Sequence, residues 1–134
     1  MSTSKVTYTG NLRTTCEHLA SGTKIITDAP TDNHGKGEAF SPTDLVATAY
    51  GACVITTIGI FSDLHNIHFE HGTCEVTKVM ASDPRRISRI ILNIDLSGNG
   101  WDEKTQKEMM NVAKTCPVAR TLGGNVEAEF TFSF

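Results

Sequence analysis

The chain has 134 residues, 39% of them hydrophobic and 20% charged, with a formal net charge of −3. That length suits a single domain, residues 1–134, with a sizeable core, and the acidic balance, with no basic run or basic–aromatic interleaving, speaks against a nucleic-acid surface. Met1-Ser2-Thr3-Ser4-Lys5 lacks the charged-then-apolar pattern of a secretion signal, and the most apolar run, Leu45 to Phe61, falls short of the ~20 residues that span a bilayer, so the expectation is a cytoplasmic protein with no membrane partner.

In chain order, residues 4–10 alternate and are rich in β-formers, Arg13 to Leu19 follows the Gly10-Asn11 turn, and Lys24 to Thr27 follows Ser21-Gly22. This predicts an N-terminal antiparallel meander of three strands. Asp28 to Phe40 is a long loop with proline, glycines and mixed charge, the kind of connection that often carries function. It leads into Ser41-Pro42-Thr43-Asp44, a helix start: serine as N-cap, proline at the first helical position, and an acid three residues after the cap. The helix is expected to run to about 64–66. Ile67 to Met80 and Arg86 to Leu96 read as strands around a Ser82-Asp83-Pro84-Arg85 turn, the second with Ile90, Leu92, Ile94 and Leu96 on one face. After the break at Ser97-Gly98-Asn99-Gly100, residues 101–114 read as an amphipathic helix. Pro117 starts a further short turn with Cys116 at its N-cap, and Val126 to Phe134 is a last strand. The order β-β-β-α-β-β-α-β predicts an α+β domain with an antiparallel sheet packed on a long central helix.

The central helix is apolar nearly all round. Leu45, Ala49, Ala52 and Thr56 share one stripe, Val46, Ala49, Cys53 and Ile60 another, and Val54, Ile58 and Phe61 a third. One sheet covers about half of such a helix. Tyr50, Ile58, Phe61, Ala47, Gly51 and Gly59 are then expected to face a second copy of the chain in a homodimer.

The four cysteines, Cys16, Cys53, Cys74 and Cys116, are far apart and form no CxxC pair, which favours free thiols over a disulfide scaffold or zinc ribbon. Cys16 and Cys74 fall on strands and read as small buried hydrophobes. Cys53, in mid-helix, also leans structural when taken by itself. Cys116, at a helix N-cap with Arg120 one turn on, is placed for a lowered pKa.

Two segments together resemble the OsmC/Ohr family (osmotically inducible protein C and organic hydroperoxide resistance protein). They are Ser41-Pro42-Thr43-Asp44-Leu45 with Ala49-Tyr50-Gly51-Ala52-Cys53, and later Cys116-Pro117-Val118-Ala119-Arg120-Thr121-Leu122. The resemblance spans nearly the whole chain. It implies an intertwined homodimer with the long helices at its centre. It implies a cysteine-based peroxidase for organic hydroperoxides, with Cys53 as the peroxidatic thiol and Cys116 as the resolving thiol, re-reduced by an external dithiol, and with no cofactor or metal. It further implies an arginine, here Arg13, as the cation for the thiolate, held by a glutamate at the helix start. Thr43 stands at that glutamate position, with Asp44 next to it as the substitute holder or only a helix cap. A rival reading on the same scaffold is a non-catalytic protein binding a small apolar ligand at the dimer interface. Another is a metal-binding stabiliser using His65, His68 and His71, although neither helical nor strand period brings those three rings together. His18 and His34 are weaker candidates for approaching Cys53.

Overall fold

The computed structural model describes residues 1–134. The chain divides into two compact units, Met1–Val46 and Ala47–Phe134, with the cut inside the long helix.

The first unit is a three-stranded antiparallel meander of β1 (Ser4–Gly10), β2 (Arg13–His18) and β3 (Lys24–Asp28), in the order β1-β2-β3. The β1–β2 turn needs positive φ at both Asn11 (56°) and Leu12 (61°), the geometry that matches the twist of a tight hairpin. Around the second turn the register pairs Glu17 with Lys24 and Arg13 with Asp28. The long loop after β3 is not shapeless. The Asp28 N–H donates to the Phe40 carbonyl at 3.0 Å, and Gly35 and Asn33 both close on the Pro30 carbonyl at 2.9 Å.

Helix α1 (Pro42–Leu64) then opens on a reciprocal cap. The Asp44 N–H donates to Ser41 Oγ at 3.1 Å, and the Ser41 N–H donates to Asp44 Oδ2 at 3.0 Å. Two of the orphan donors at a helix start are satisfied this way. At 23 residues α1 ends at Leu64, within the expected range, and by length and composition alone it is long and apolar enough to cross a membrane, a test that a buried core helix also passes. In its last turn Ser62 is buried, with its hydroxyl donating to the Ile58 carbonyl at 2.8 Å. One face of α1 is packed as a core helix, through Ala47, Tyr50, Gly51, Val54, Ile58 and Ser62.

The second unit adds β4 (Thr73–Ala81), β5 (Arg86–Asp95), α2 (Glu103–Ala113), α3 (Pro117–Leu122) and β6 (Glu127–Ser133). The α+β class is the one expected, but the strands form two three-stranded sheets, and the second, in the order β4-β5-β6, is mixed. β5 pairs β4 antiparallel and β6 parallel. The parallel pair follows from the helical crossover α2–α3, which carries the chain back before β6 begins. Ile90, Leu92, Ile94 and Leu96 are at most 2% exposed. They share the core with Tyr50, Val54 and Ile58 of α1, Met109 and Ala113 of α2, and Cys116.

Two expectations need correction. Strand β4 starts at Thr73 rather than Ile67. Asn99, 8% exposed, takes over the role of a ladder partner there: its Oδ1 accepts the N–H groups of Glu70 (2.9 Å) and His71 (3.1 Å), and its Nδ2 donates to the His71 and Leu96 carbonyls. Tyr50, Ile58, Ala47 and Gly51 are covered within the chain, not left for a partner. The exposed apolar residues of the helix are Val46 (40%), Ile60 (56%) and Leu64 (74%).

Candidate active site

Cys53 lies in mid-α1 and is half-buried; Cys116 is fully buried as the N-cap of α3, and both thiols are free. Helical spacing puts Tyr50 and Cys53 three residues apart on adjoining faces. Gly51 explains the small residues that precede the cysteine. A Cβ there would stand 2.6 Å from Val76 Cγ2 and 3.3 Å from Cys74 Sγ, so the helix backbone presses against β4. Any larger residue would push Cys53 away from the sheet.

Cys116 is brought back to α1 by the crossover. Pro117, at the first position of α3, needs no N–H partner there, and the Cys116 sulfur accepts the Ala119 N–H at 3.4 Å. Cys53 packs against the core cluster that contains Cys116. Burial pushes the Cys116 thiol above its ordinary pKa; the Ala119 and Val118 N–H groups pull the other way, and the neighbouring Cys53 adds to the rise. The lowered pKa expected of an N-cap cysteine is therefore overturned by desolvation. Arg120 does not supply the missing cation: it is exposed, and its Nε donates to the Thr115 carbonyl at 3.1 Å.

Tyr50 was read from the sequence only as an apolar residue. It is 4% exposed, and its ring meets Phe130 edge-on at 6.1 Å. Burial, then the charges of Cys116 and Cys53, raise its hydroxyl above the ordinary tyrosine value. A buried phenol thus shares the core cluster with Cys116, and Cys53 packs against that cluster. The i, i+3 spacing of Tyr50 to Cys53 was the available signal.

The remaining candidates sit elsewhere in the chain. Arg13, in the first unit, bonds two carboxylates: Asp28 at 3.3 Å and Glu38. The Glu38 N–H and then Arg13 hold the Asp28 carboxyl below the ordinary range against the opposing effect of burial. Asp44 forms the helix cap with Ser41. The acids that pair with Arg13 are Asp28 and Glu38, not a residue of the helix start. The β2–β3 register sets Asp28 directly across from Arg13, but that ladder is centred on Ala20-Ser21, so counting out from the Ser21-Gly22 turn signal does not find it. Cys16 contacts Thr14 Oγ1 at 3.7 Å, and burial raises the Cys74 thiol. His65 stacks on Phe61 and reaches its carbonyl at 2.9 Å, while His68 and His71 lie 3.5 and 3.7 Å from Glu70. His18 meets Ser21 Oγ at 2.6 Å, and His34 adopts φ 68° in the long loop. No group of three or more His, Cys, Asp or Glu side chains is arranged to hold a metal ion.

The sequence profile of the OsmC-like protein family matches residues 35–131. The chain belongs to the OsmC-like family. A solved structure from Psychrobacter arcticus, provisionally described as an osmotic stress induced and detoxification response protein, is 50% identical, with a TM-score of 0.93 over 99% of this chain and 96% of that one. Two more distant structures share the fold. An organic hydroperoxide resistance protein OsmC from Legionella pneumophila is 20% identical, with a TM-score of 0.78 over 100% of this chain and 98% of that one. The organic hydroperoxide resistance protein OhrB of Bacillus subtilis is also 20% identical, with a TM-score of 0.72 over 98% of each chain. No curated protein sequence matches the chain.

Proposed function

We propose that this chain serves in the response to peroxide stress, and that it does so as a thiol peroxidase for organic hydroperoxides. The observation that carries the reading is the pair of free thiols, Cys116 buried in the apolar core and Cys53 packed against that same core. The Cys53 thiolate attacks one peroxide oxygen; the O–O bond breaks, the alkoxide takes a proton and leaves as an alcohol, and Cys53 becomes a sulfenic acid. The Cys116 sulfur then attacks the sulfenic sulfur, water leaves, and a Cys53–Cys116 disulfide forms. An external dithiol reduces it by exchange, returning both thiols. Because burial raises the Cys116 thiol, its attack has to proceed with loss of the thiol proton to the departing sulfenic hydroxyl, which leaves as water.

Arg13 is proposed as the cation that stabilises the Cys53 thiolate. Asp44 is assigned to the helix cap, in keeping with its bonds to Ser41. A homodimer in the cytoplasm completes the proposal. The apolar side chains still exposed on α1 (Val46, Ile60 and Leu64) and on the first sheet (Val6, Tyr8, Ile25 and Ile26) support a second copy as their cover. The names of relatives that include organic hydroperoxide resistance proteins agree with the substrate class.

The test is stopped-flow turnover of an alkyl hydroperoxide with a dithiol. Wild type is expected to turn over and Cys53→Ser to be inactive. Cys116→Ser is expected to consume one equivalent of peroxide without forming an intramolecular disulfide. Equal rates for wild type and Cys53→Ser refute the peroxidase.

A further inference from the structure

The turn between β5 and α2 contains the one Asn-Gly step in the chain, Asn99-Gly100; the other six asparagines precede Leu12, His34 or a β-branched residue. Asparagine is at its most labile before glycine. Glycine has no Cβ to shield its nitrogen and rotates freely, so the Gly100 nitrogen can reach the side-chain carbonyl carbon of Asn99. Once the Gly100 amide proton is lost, the nitrogen attacks Asn99 Cγ, ammonia leaves and a five-membered succinimide closes. Water then adds to one of the two ring carbonyls and opens the ring to aspartate or isoaspartate. In net terms an amide and water give a carboxylate and ammonium, with no oxidant, metal or enzyme required.

In the folded chain the reacting amide is pinned. Asn99 is 8% exposed. Its Oδ1 accepts the N–H groups of Glu70 and His71 at 2.9 and 3.1 Å, and its Nδ2 donates to the carbonyls of His71 at 2.7 Å and Leu96 at 2.8 Å. Both amide hydrogens and both oxygen lone pairs are thereby used. Closing a succinimide turns the side chain toward the Gly100 nitrogen and breaks these bonds inside a buried site, where each lost bond is costly. Neighbouring contacts oppose that opening. Trp101 Nε1 donates to the His68 carbonyl at 2.6 Å, and the Phe69 and Trp101 rings lie 5.7 Å apart. All of these residues belong to the second unit.

We propose that Asn99-Gly100 is a self-modification site, latent while residues 67–72 stay docked on Asn99 and released when they open. The conversion runs one way. A carboxylate at position 99 has no N–H to give, so the His71 and Leu96 carbonyls lose their donor and face an oxygen of like partial charge. Isoaspartate also lengthens the backbone of the turn by a methylene. Either product leaves the loop and the turn without the side chain that joins them, and the entry to α2 is loosened with them. A copy that has opened is thereby marked for good. None of this involves Cys53, Cys116 or Arg13, so it stands apart from the peroxidase reading.

The experiment incubates the full-length protein at mildly alkaline pH, in native buffer and in guanidinium chloride, and follows Asn99 by peptide mapping with isoaspartate detection. In denaturant, conversion is expected at the rate of a short peptide spanning Ser97 to Trp101. In native buffer it is expected to be slower by at least about tenfold, since only the opened fraction reacts. Trp101→Phe keeps an aromatic ring and removes the donor to His68, so it is expected to raise the native rate and leave the denatured rate unchanged. Converted protein, and Asn99→Asp made directly, are expected to lose hydrogen-exchange protection at the Glu70 and His71 amides. No conversion in denaturant overturns the site. Equal rates in the two solvents overturn its control by the fold, and a Trp101→Phe rate equal to wild type in native buffer overturns the opening of residues 67–72 as the gate. Retained protection at Glu70 and His71 after conversion overturns the loss of the latch. If Asn99→Asp does not fold, the two-solvent comparison on the wild-type chain decides.

Discussion

The two units of the chain are held together by different physics. In residues 47–134 every fully covered apolar side chain finds its place, from Ala47, Tyr50, Val54 and Ile58 on α1 to the alternate residues of β5 and the inner face of α2. In residues 1–46 the buried residues are Thr27, Asp28 and Ser41, all polar, while Val6, Tyr8, Ile25, Ile26 and Phe40 stay exposed. The second unit is ordered by packing. The first is ordered by strand pairing, a capping box and an ion cluster, and its apolar side chains are spent on neither. The lesson is that the proposed nucleophile and its proposed cation come from regions of unequal robustness, so conditions exist that disturb one and spare the other.

Substitutions in matched positions test that contrast. Ile94→Ala, in the β5 core, is expected to cost about 2–5 kcal/mol in urea unfolding. A cost under 1 kcal/mol would mean the second unit is not the packed one. Gly51→Ala comes next. Overpacking against Val76 costs about 1–3 kcal/mol, offset by the ~1 kcal/mol that alanine gains over glycine in a helix. The same substitution should slow peroxide turnover by displacing Cys53, and turnover unchanged from wild type would remove that role from Gly51. Ser41→Ala removes one side of the cap and is expected to cost about 1 kcal/mol, read from the same unfolding curves. Ile26→Ala, half exposed on the first sheet, should stay within about 0.5 kcal/mol when the protein is dilute. If its cost grows with protein concentration, a second chain covers that sheet, and the contrast between the units belongs to the monomer alone.

Acid sharpens the comparison further. The folded Asp28 carboxyl lies below its ordinary value, so the stabilisation it gives is fully present above the ordinary carboxylate range and is lost as pH falls through the lower folded value. Hydrogen-exchange protection of the Glu38 and Asp28 amides should therefore be lost at acid pH before that of β5. Simultaneous loss of protection in both would show one cooperative unit instead.

Much of this was legible in the sequence because local rules and tertiary demands agree there. Ser41-Pro42 marks the start of α1, Ile90-Leu92-Ile94-Leu96 marks the covered face of β5, and Cys116-Pro117 marks the start of α3. The misreadings have a common cause in side chains that stand in for backbone. Ile67 and Phe69 alternate as a strand would, yet Phe69 packs near Trp101, with ring centroids 5.7 Å apart, and the side chain of Asn99 takes the amides a neighbouring strand would have bonded. No spacing rule reaches across 28 residues to that asparagine. The Arg13 cluster was hidden in the same way. Residues 13, 28 and 38 meet only after the hairpin register and the loop path are both known. The parallel β5–β6 pair escaped because alternation fixes which face a strand presents and says nothing of its direction.

That parallel pair bears on the order in which the molecule matures. Cys53 lies in a helix that emerges from the ribosome before the sheet and crossover it packs against, whereas Cys116 belongs to that crossover, whose return is fixed only when β6 docks beside β5. Long-range parallel pairing is intrinsically slow. During synthesis, then, the helix thiol is out of the ribosome, along with Cys16 and Cys74, before the crossover that carries Cys116 is in place.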